Sequence, residues 1–155
     1  MQTRHLTSCL AVAALLVGCD DANSPRVGGP VQIAIQQSLT SQTTSAGTFQ
    51  LTGAVSDNGT TTEELTFGGP LDRPPVPVTF RRTLTGTQGT MVISGSASLQ
   101  FSSPTAATLS GSWKIDQATG RYASLDATGT LTGSADFGST PPTSSLAYAG
   151  TVRTR

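Results

Sequence analysis

One histidine and two cysteines are all the imidazole and thiol in this chain, and His5, Cys9 and Cys19 lie within its first nineteen residues. Residues 20–155 therefore cannot build a Ser-His-Asp or Cys-His nucleophile. Nor can they build a zinc or copper site of imidazole and thiolate, or an internal disulfide. Reaction chemistry in that region is left to carboxylates, Lys114, tyrosines and hydroxyls, which weighs against an enzyme. There is no phosphate-cradling glycine loop and no G-x-S-x-G elbow, and no cofactor is implied. Charge is also scarce, at 12% of residues with nine acidic and nine basic side chains, so nothing draws the chain to a phosphate backbone and no nucleic-acid partner is expected. Long apolar runs are missing too. The most apolar stretch, Leu6 to Val17, falls short of the ~20 residues a membrane-spanning helix needs.

That stretch, with Arg4 ahead of it, suits the core of an export signal. It ends in Leu16-Val17-Gly18-Cys19, which resembles the lipobox of bacterial lipoproteins: an aliphatic residue, two small or medium residues, then cysteine. The resemblance implies that residues 1–18 are a cleaved signal peptide and that a lipid on Cys19 anchors the chain to a membrane. A plain secretory signal would more often end in an A-x-A-like pattern, which is absent. Asp20 follows the cysteine directly and resembles an inner-membrane retention signal of enteric bacteria. The expected location is thus the bacterial cell envelope, on the outer face of the cytoplasmic membrane or in the outer membrane. Taking 18 residues from 155 leaves 137, enough for one modest domain. Without Arg4 there are eight basic against nine acidic side chains, a formal charge of −1.

Serine, threonine and glycine are abundant, a composition shared with disordered stalks, so periodicity has to decide. Asp20 to Pro30 has no period and, with the lipidated Cys19, reads as a tether over 19–30. From residue 31 to 155 apolar residues fall on alternate positions in eight segments. These are Val31–Ile35, Phe49–Val55, Leu65–Phe67, Val76–Phe80 with Leu84, Met91–Phe101, Leu109–Ile115, Gly129–Phe137 and Leu146–Val152. Period two predicts strands with one buried face. Turn signals separate them at Asp57-Asn58-Gly59, Gly68 to Pro70, Gly86 to Gly89, Ser103-Pro104, Asp116 to Gly120 and Thr140 to Pro142. At most a short helical turn is expected, near Tyr122 to Leu125.

Eight strands with short connections favour an all-β, antiparallel meander that closes into a single barrel and so removes its exposed edges. Glycines on the apolar face, such as Gly53, Gly95, Gly111, Gly129, Gly133 and Gly150, fit tight curvature. A β-sandwich is the alternative. Residues 111–133 also resemble a recurring segment of the allene oxide cyclase-like barrels, which include dirigent proteins. Thr119, Gly120, Tyr122, Gly129 and Gly133 carry that likeness. It implies an eight-stranded barrel with an internal cavity, in which Gly120 permits a turn and Tyr122 and Leu125 plug one end. No activity comes with it, because no matching motif occurs elsewhere in the chain.

Arg82 shares the phase of Val76, Val78, Phe80 and Leu84, so its side chain should point inward. There it could hold a ligand carboxylate, or it could mark a bulge at Arg81-Arg82 or pair with an interior aspartate. Trp113 is either a pocket wall or simple core packing. Asp57, Asn58, Glu63 and Glu64 lack calcium-loop spacing and read as a solvated hairpin turn. Thr128, Thr130 and Thr132 form a row of the kind found on ice-binding surfaces, although threonine is the ordinary outward residue of a strand.

The leading functional reading is a membrane-anchored module that binds a small apolar or amphipathic molecule in the barrel, with Arg82, Trp113 and Tyr122 as contacts. A packed structural or interaction barrel and a cofactor-free isomerase or cyclase are the alternatives. The anchor is testable directly. Wild-type protein made in a bacterial host should partition into detergent and Cys19→Ala should not, and an intact mass showing unmodified Cys19 would remove the anchor.

Overall fold

The computed structural model describes residues 28–155, so the lipobox, Cys19 and most of the expected tether lie outside the described residues. Within them the chain is all-β. The strands are β1 (Gly28–Leu39), β2 (Thr44–Gly53), β3 (Asp57–Phe67), β4 (Val76–Gly86), β5 (Thr90–Phe101), β6 (Ala106–Ala118), β7 (Leu125–Asp136) and β8 (Thr143–Thr154). They run antiparallel in sequence order and close into one barrel. The closing seam joins β1 to β8 from Gly28↔Arg153 to Ser38↔Thr143. All eight expected segments correspond to strands, although Val55 and Phe137, expected at the ends of two of them, fall in the connections that follow β2 and β7. Among the described residues no helix is long and apolar enough to cross a membrane.

Alternation places Val31, Ile33, Ile35, Leu84, Ile93, Leu131 and their like inside, each almost without exposed surface. The outward rows are mainly hydroxyl residues, and Thr128, Thr130 and Thr132 stand exposed among them. Inward glycines make room for inward rings. A Cβ on Gly95 would lie 2.6 Å from the Phe80 ring, and one on Gly150 would lie 2.8 Å from the Trp113 indole. Small and large residues thus interlock across neighbouring strands, which fills a narrow barrel without strain.

Two boundaries differ from the sequence expectation. β1 starts at Gly28, inside the stretch read as tether, because Gly28 to Pro30 pair with Arg153 to Thr151 although they carry no apolar alternation. Pro30 has no N–H to give, and its carbonyl accepts from the Ala54 N–H at 2.9 Å. Asp57-Asn58-Gly59 is not a turn. It opens β3, and the connection is made by residues 54–56. Gly59 is needed there because a side chain would strike the Thr85 carbonyl at 2.1 Å, not because its backbone takes a turn conformation. Asp57 is correspondingly a buried inward residue, not a solvated one.

The barrel's two ends are built differently. Residues 54–56, 87–89 and 119–124 connect strands at one end, which also carries Gly28 and Thr154. There a 3-10 turn, Gly120–Tyr122, folds over the opening. Gly120 sits at φ +60°, the left-handed conformation that glycine takes freely. Tyr122 and Leu125 are buried beneath the turn. The Tyr122 hydroxyl donates to Asp57. The Asp57 carboxylate also accepts from the Thr87 hydroxyl at 2.7 Å and from the backbone N–H groups of Asn58, Thr87 and Gln88. This end is plugged.

Burial disfavours the charged form of Asp57, but the bonds from Tyr122, Thr87, Gln88 and Asn58 outweigh it and hold the carboxyl well below the usual carboxylate range. A folded-state value below the unfolded one contributes stability that is fully present above the unfolded pKa. That stability is lost as pH falls through the folded value. Asp57→Asn should therefore lower stability at neutral pH by about 3 kcal/mol and flatten the acid limb of the stability curve. Urea unfolding from pH 7 down to about pH 2 checks this, and an acid limb as steep in Asp57→Asn as in wild type would refute it.

Candidate functional site

The other end, ringed by the connections 40–43, 68–75, 102–105 and 137–142, has no plug. Between its strand ends lies a cavity of about 60 Å³, walled by apolar side chains that include Leu65, Phe67, Leu99, Leu109, Ala135 and Phe137. Phe101 and Phe137 stack at its edge with ring centres 5.3 Å apart. A shallower groove of about 600 Å³ continues outward over Leu71, Pro74, Pro104 and the same two rings. Leu71 is the one large hydrophobic side chain exposed among the described residues. Toward the plugged end the interior is tight. The gap among Ile33, Leu51, Ile93, Trp113 and their neighbours is about 10 Å³.

At the inner end of the cavity the lining turns polar, with Gln37 and Glu63. Both are inward residues by phase, Gln37 following Ile33 and Ile35 on β1 and Glu63 preceding Leu65 on β3. Register brings them to Arg82. Glu63 pairs with Ser45 on one side and with Arg82 on the other. Gly47, between Gln37 and Thr61 in register, leaves open the inward space in which Gln37 reaches across.

The guanidinium is fully buried. It donates through Nη2 to Glu63 Oε1 at 2.5 Å, and through Nη1 to Gln37 Oε1 at 2.6 Å and Thr61 Oγ1 at 3.3 Å. Glu63 Oε2 also accepts from Gln37 Nε2 at 2.8 Å and from Ser45 Oγ at 3.0 Å. One cation and one anion thus neutralise each other inside a hydrogen-bonded cluster.

Below the cluster the Tyr148 ring lies 5.5 Å from the Arg82 guanidinium carbon, a cation–π approach. Phe80 and Trp113 meet Tyr148 edge-on. Burial is the main cause that pushes the Tyr148 hydroxyl up to about 12, with Arg82 opposing and Glu63 reinforcing it, so the phenol stays neutral. Two buried atoms here, Arg82 Nε and Tyr148 Oη, make no hydrogen bond. Among the described residues no three His, Cys, Asp or Glu side chains converge as a metal site would require.

Searches against protein-family models, curated proteins and solved structures return no match to this chain. The site therefore has to be read from its own geometry.

The structure does not bring the three residues expected to touch a ligand together at the cavity. Arg82 lies one layer beneath it, covered by Glu63 and Gln37. Trp113 packs in the tight half, with its indole N–H donating to the Thr130 carbonyl at 3.2 Å. Tyr122 belongs to the plug at the opposite end. The ladder runs unbroken through Arg81 and Arg82, so there is no bulge, and the interior partner is a glutamate rather than an aspartate. Glu63, expected in a solvated turn, is a buried wall residue, whereas Glu64 is exposed. Lys114 is outside the barrel, paired with Asp116 at 3.1 Å. Gln37, Ser45, Thr61 and Glu63 were missed, although the inward phase that singled out Arg82 applies equally to them.

Removing one partner of a buried ion pair strands the other charge at a cost of about 3–5 kcal/mol, whereas replacing both by apolar groups is often tolerated. Arg82→Met and Glu63→Leu should each lose that much in urea unfolding, and the double variant should recover most of it. Single variants within about 1 kcal/mol of wild type would show that the pair is not neutralised as described.

Proposed function

We propose that this protein is a lipid-anchored binding module whose open barrel end receives one end of a small, mainly apolar molecule. The supporting observation is the apolar cavity at the unplugged end, with a polar floor and beside it a groove lined mainly by Leu71, Pro74, Pro104 and two phenylalanine rings. Its size limits the occupant. An engineered cavity of roughly 150 Å³ admits benzene, so about 60 Å³ takes one end of a chain, its terminal group with a few carbons, rather than a whole ligand. The remainder of the molecule would lie in the groove over Leu71, Pro74 and Phe101.

Orientation supports the anchor. The described chain enters at Gly28, on the plugged end, and Cys19 precedes it by nine residues, a reach of at most ~30 Å. A lipid on Cys19 would hold the plug toward the bacterial membrane and turn the mouth away from it, toward molecules in the envelope space. A binding role suits the cavity better than a cofactor-free isomerase. Glu63, the only carboxylate lining it, is already ion-paired with Arg82 and accepts three hydrogen bonds. The tight half of the barrel favours a second reading, a packed structural barrel whose mouth is only its end.

A neutral fluorescent probe such as N-phenylnaphthylamine separates the two. Wild-type protein should raise its emission saturably, short-chain alcohols should displace it, and the bound state should melt higher. Ala135→Phe, which fills the cavity from β7, should abolish binding while the domain stays folded. No binding by wild type, or undiminished binding by a folded Ala135→Phe variant, would leave the packed barrel as the better account.

A further inference from the structure

We infer that the mouth selects its ligand by head group, taking apolar molecules that end in a neutral hydrogen-bond donor and rejecting those that end in a carboxylate. This rests on the binding reading above and adds the chemical class of the occupant. The guanidinium of Arg82 is the obvious lure for an anion, but it has no exposed surface and does not line the cavity. Its Nη atoms are committed to Glu63, Gln37 and Thr61. The polar residues that line the cavity are Glu63, Gln37 and, beside Gln37 across the closing seam, Ser144, with Thr143 next to it; none of them carries a positive charge.

The unused bonding capacity of Glu63 and Gln37 defines the complement. A carboxylate has about four acceptor positions and a primary amide has two N–H donors. Glu63 Oε2 takes two bonds, from Gln37 and Ser45, and Oε1 takes one, from Arg82. One acceptor position on Oε1 is left. Gln37 Nε2 spends one proton on Glu63 and keeps the other. A hydroxyl satisfies both at once, donating to Glu63 and accepting from Gln37. An ether accepts only. A carboxylate head would bring a second negative charge against Glu63 in a site walled by hydrocarbon, where like charges repel far more strongly than in water.

The test is a matched series on the whole protein, with hexanol, its methyl ether and hexanoate displacing the neutral probe at pH 7. Hexanol should bind more tightly than the ether, and at least about 10-fold more tightly than hexanoate. Lowering the pH to about 4, where much of the acid is protonated and carries its own O–H, should bring hexanoic acid close to hexanol without any substitution in the protein. Glu63→Gln, if it folds, should likewise shrink the gap at pH 7. Equal or tighter binding of hexanoate at pH 7 overturns the head-group inference while leaving the binding reading intact. Failure of all three compounds to bind overturns both.

Discussion

A fully buried guanidinium has to be neutralised where it stands, and the upper half of this barrel is organised by that requirement. Arg82 points inward because a strand offers only two directions and its neighbours Phe80 and Leu84 claim the core side. Glu63 lies directly across the ladder from it. Gln37 and Ser45 then occupy the remaining sides of the carboxylate, and Gly47 must stay small for Gln37 to arrive. Each of these choices makes sense only with the others, since a buried charge without its partners is costly. The pair gives register as well as charge balance, since a one-residue slip of β3 against β4 would turn Glu63 to solvent and leave Arg82 alone.

The same cluster divides the interior in two. Below it, aromatic rings lie over glycines and leave almost no free volume. Above it, the inward residues of β5 and β7 include Ala97 and Ala135, and the space they leave is part of the cavity. A polar layer across a narrow barrel thus acts as a floor. A mainly apolar molecule entering from the mouth meets this polar layer with its leading end.

Much of this was legible in the chain. Alternation gave all eight strands, and antiparallel closure followed from their number and short connections. The inward direction of Arg82 followed from phase alone. The least legible strand was β3, whose inward row of Asp57, Gly59, Thr61 and Glu63 contains no hydrocarbon until Leu65. Period-two reading relies on apolar residues to mark the buried face, and here polar residues occupy it because each has a partner inside. Asp57-Asn58-Gly59 reads as a turn for the same reason, its glycine serving a close approach of strands instead. Which residue would neutralise Arg82 depended on the register between β3 and β4, and the cavity depended on side-chain volumes summed over eight strands. Neither quantity is carried by any local pattern.

Closure has a further consequence for how the domain is put together. Gly28 and Arg153 face each other across a seam of eleven residue pairs, as continuous as the ladders on either side of it. In hydrogen-bonding terms the barrel is a ring of eight antiparallel joints, and the seam is in unbroken register, unlike the β5–β6 joint, which shifts between Val92 and Ile93. Joining the two ends and opening the chain at an exposed connection such as 102–105 would give a circular permutant with the same interior. Because the ends meet on the plugged side, the link lies away from the mouth, whereas the opening at 102–105 falls in the mouth's own rim.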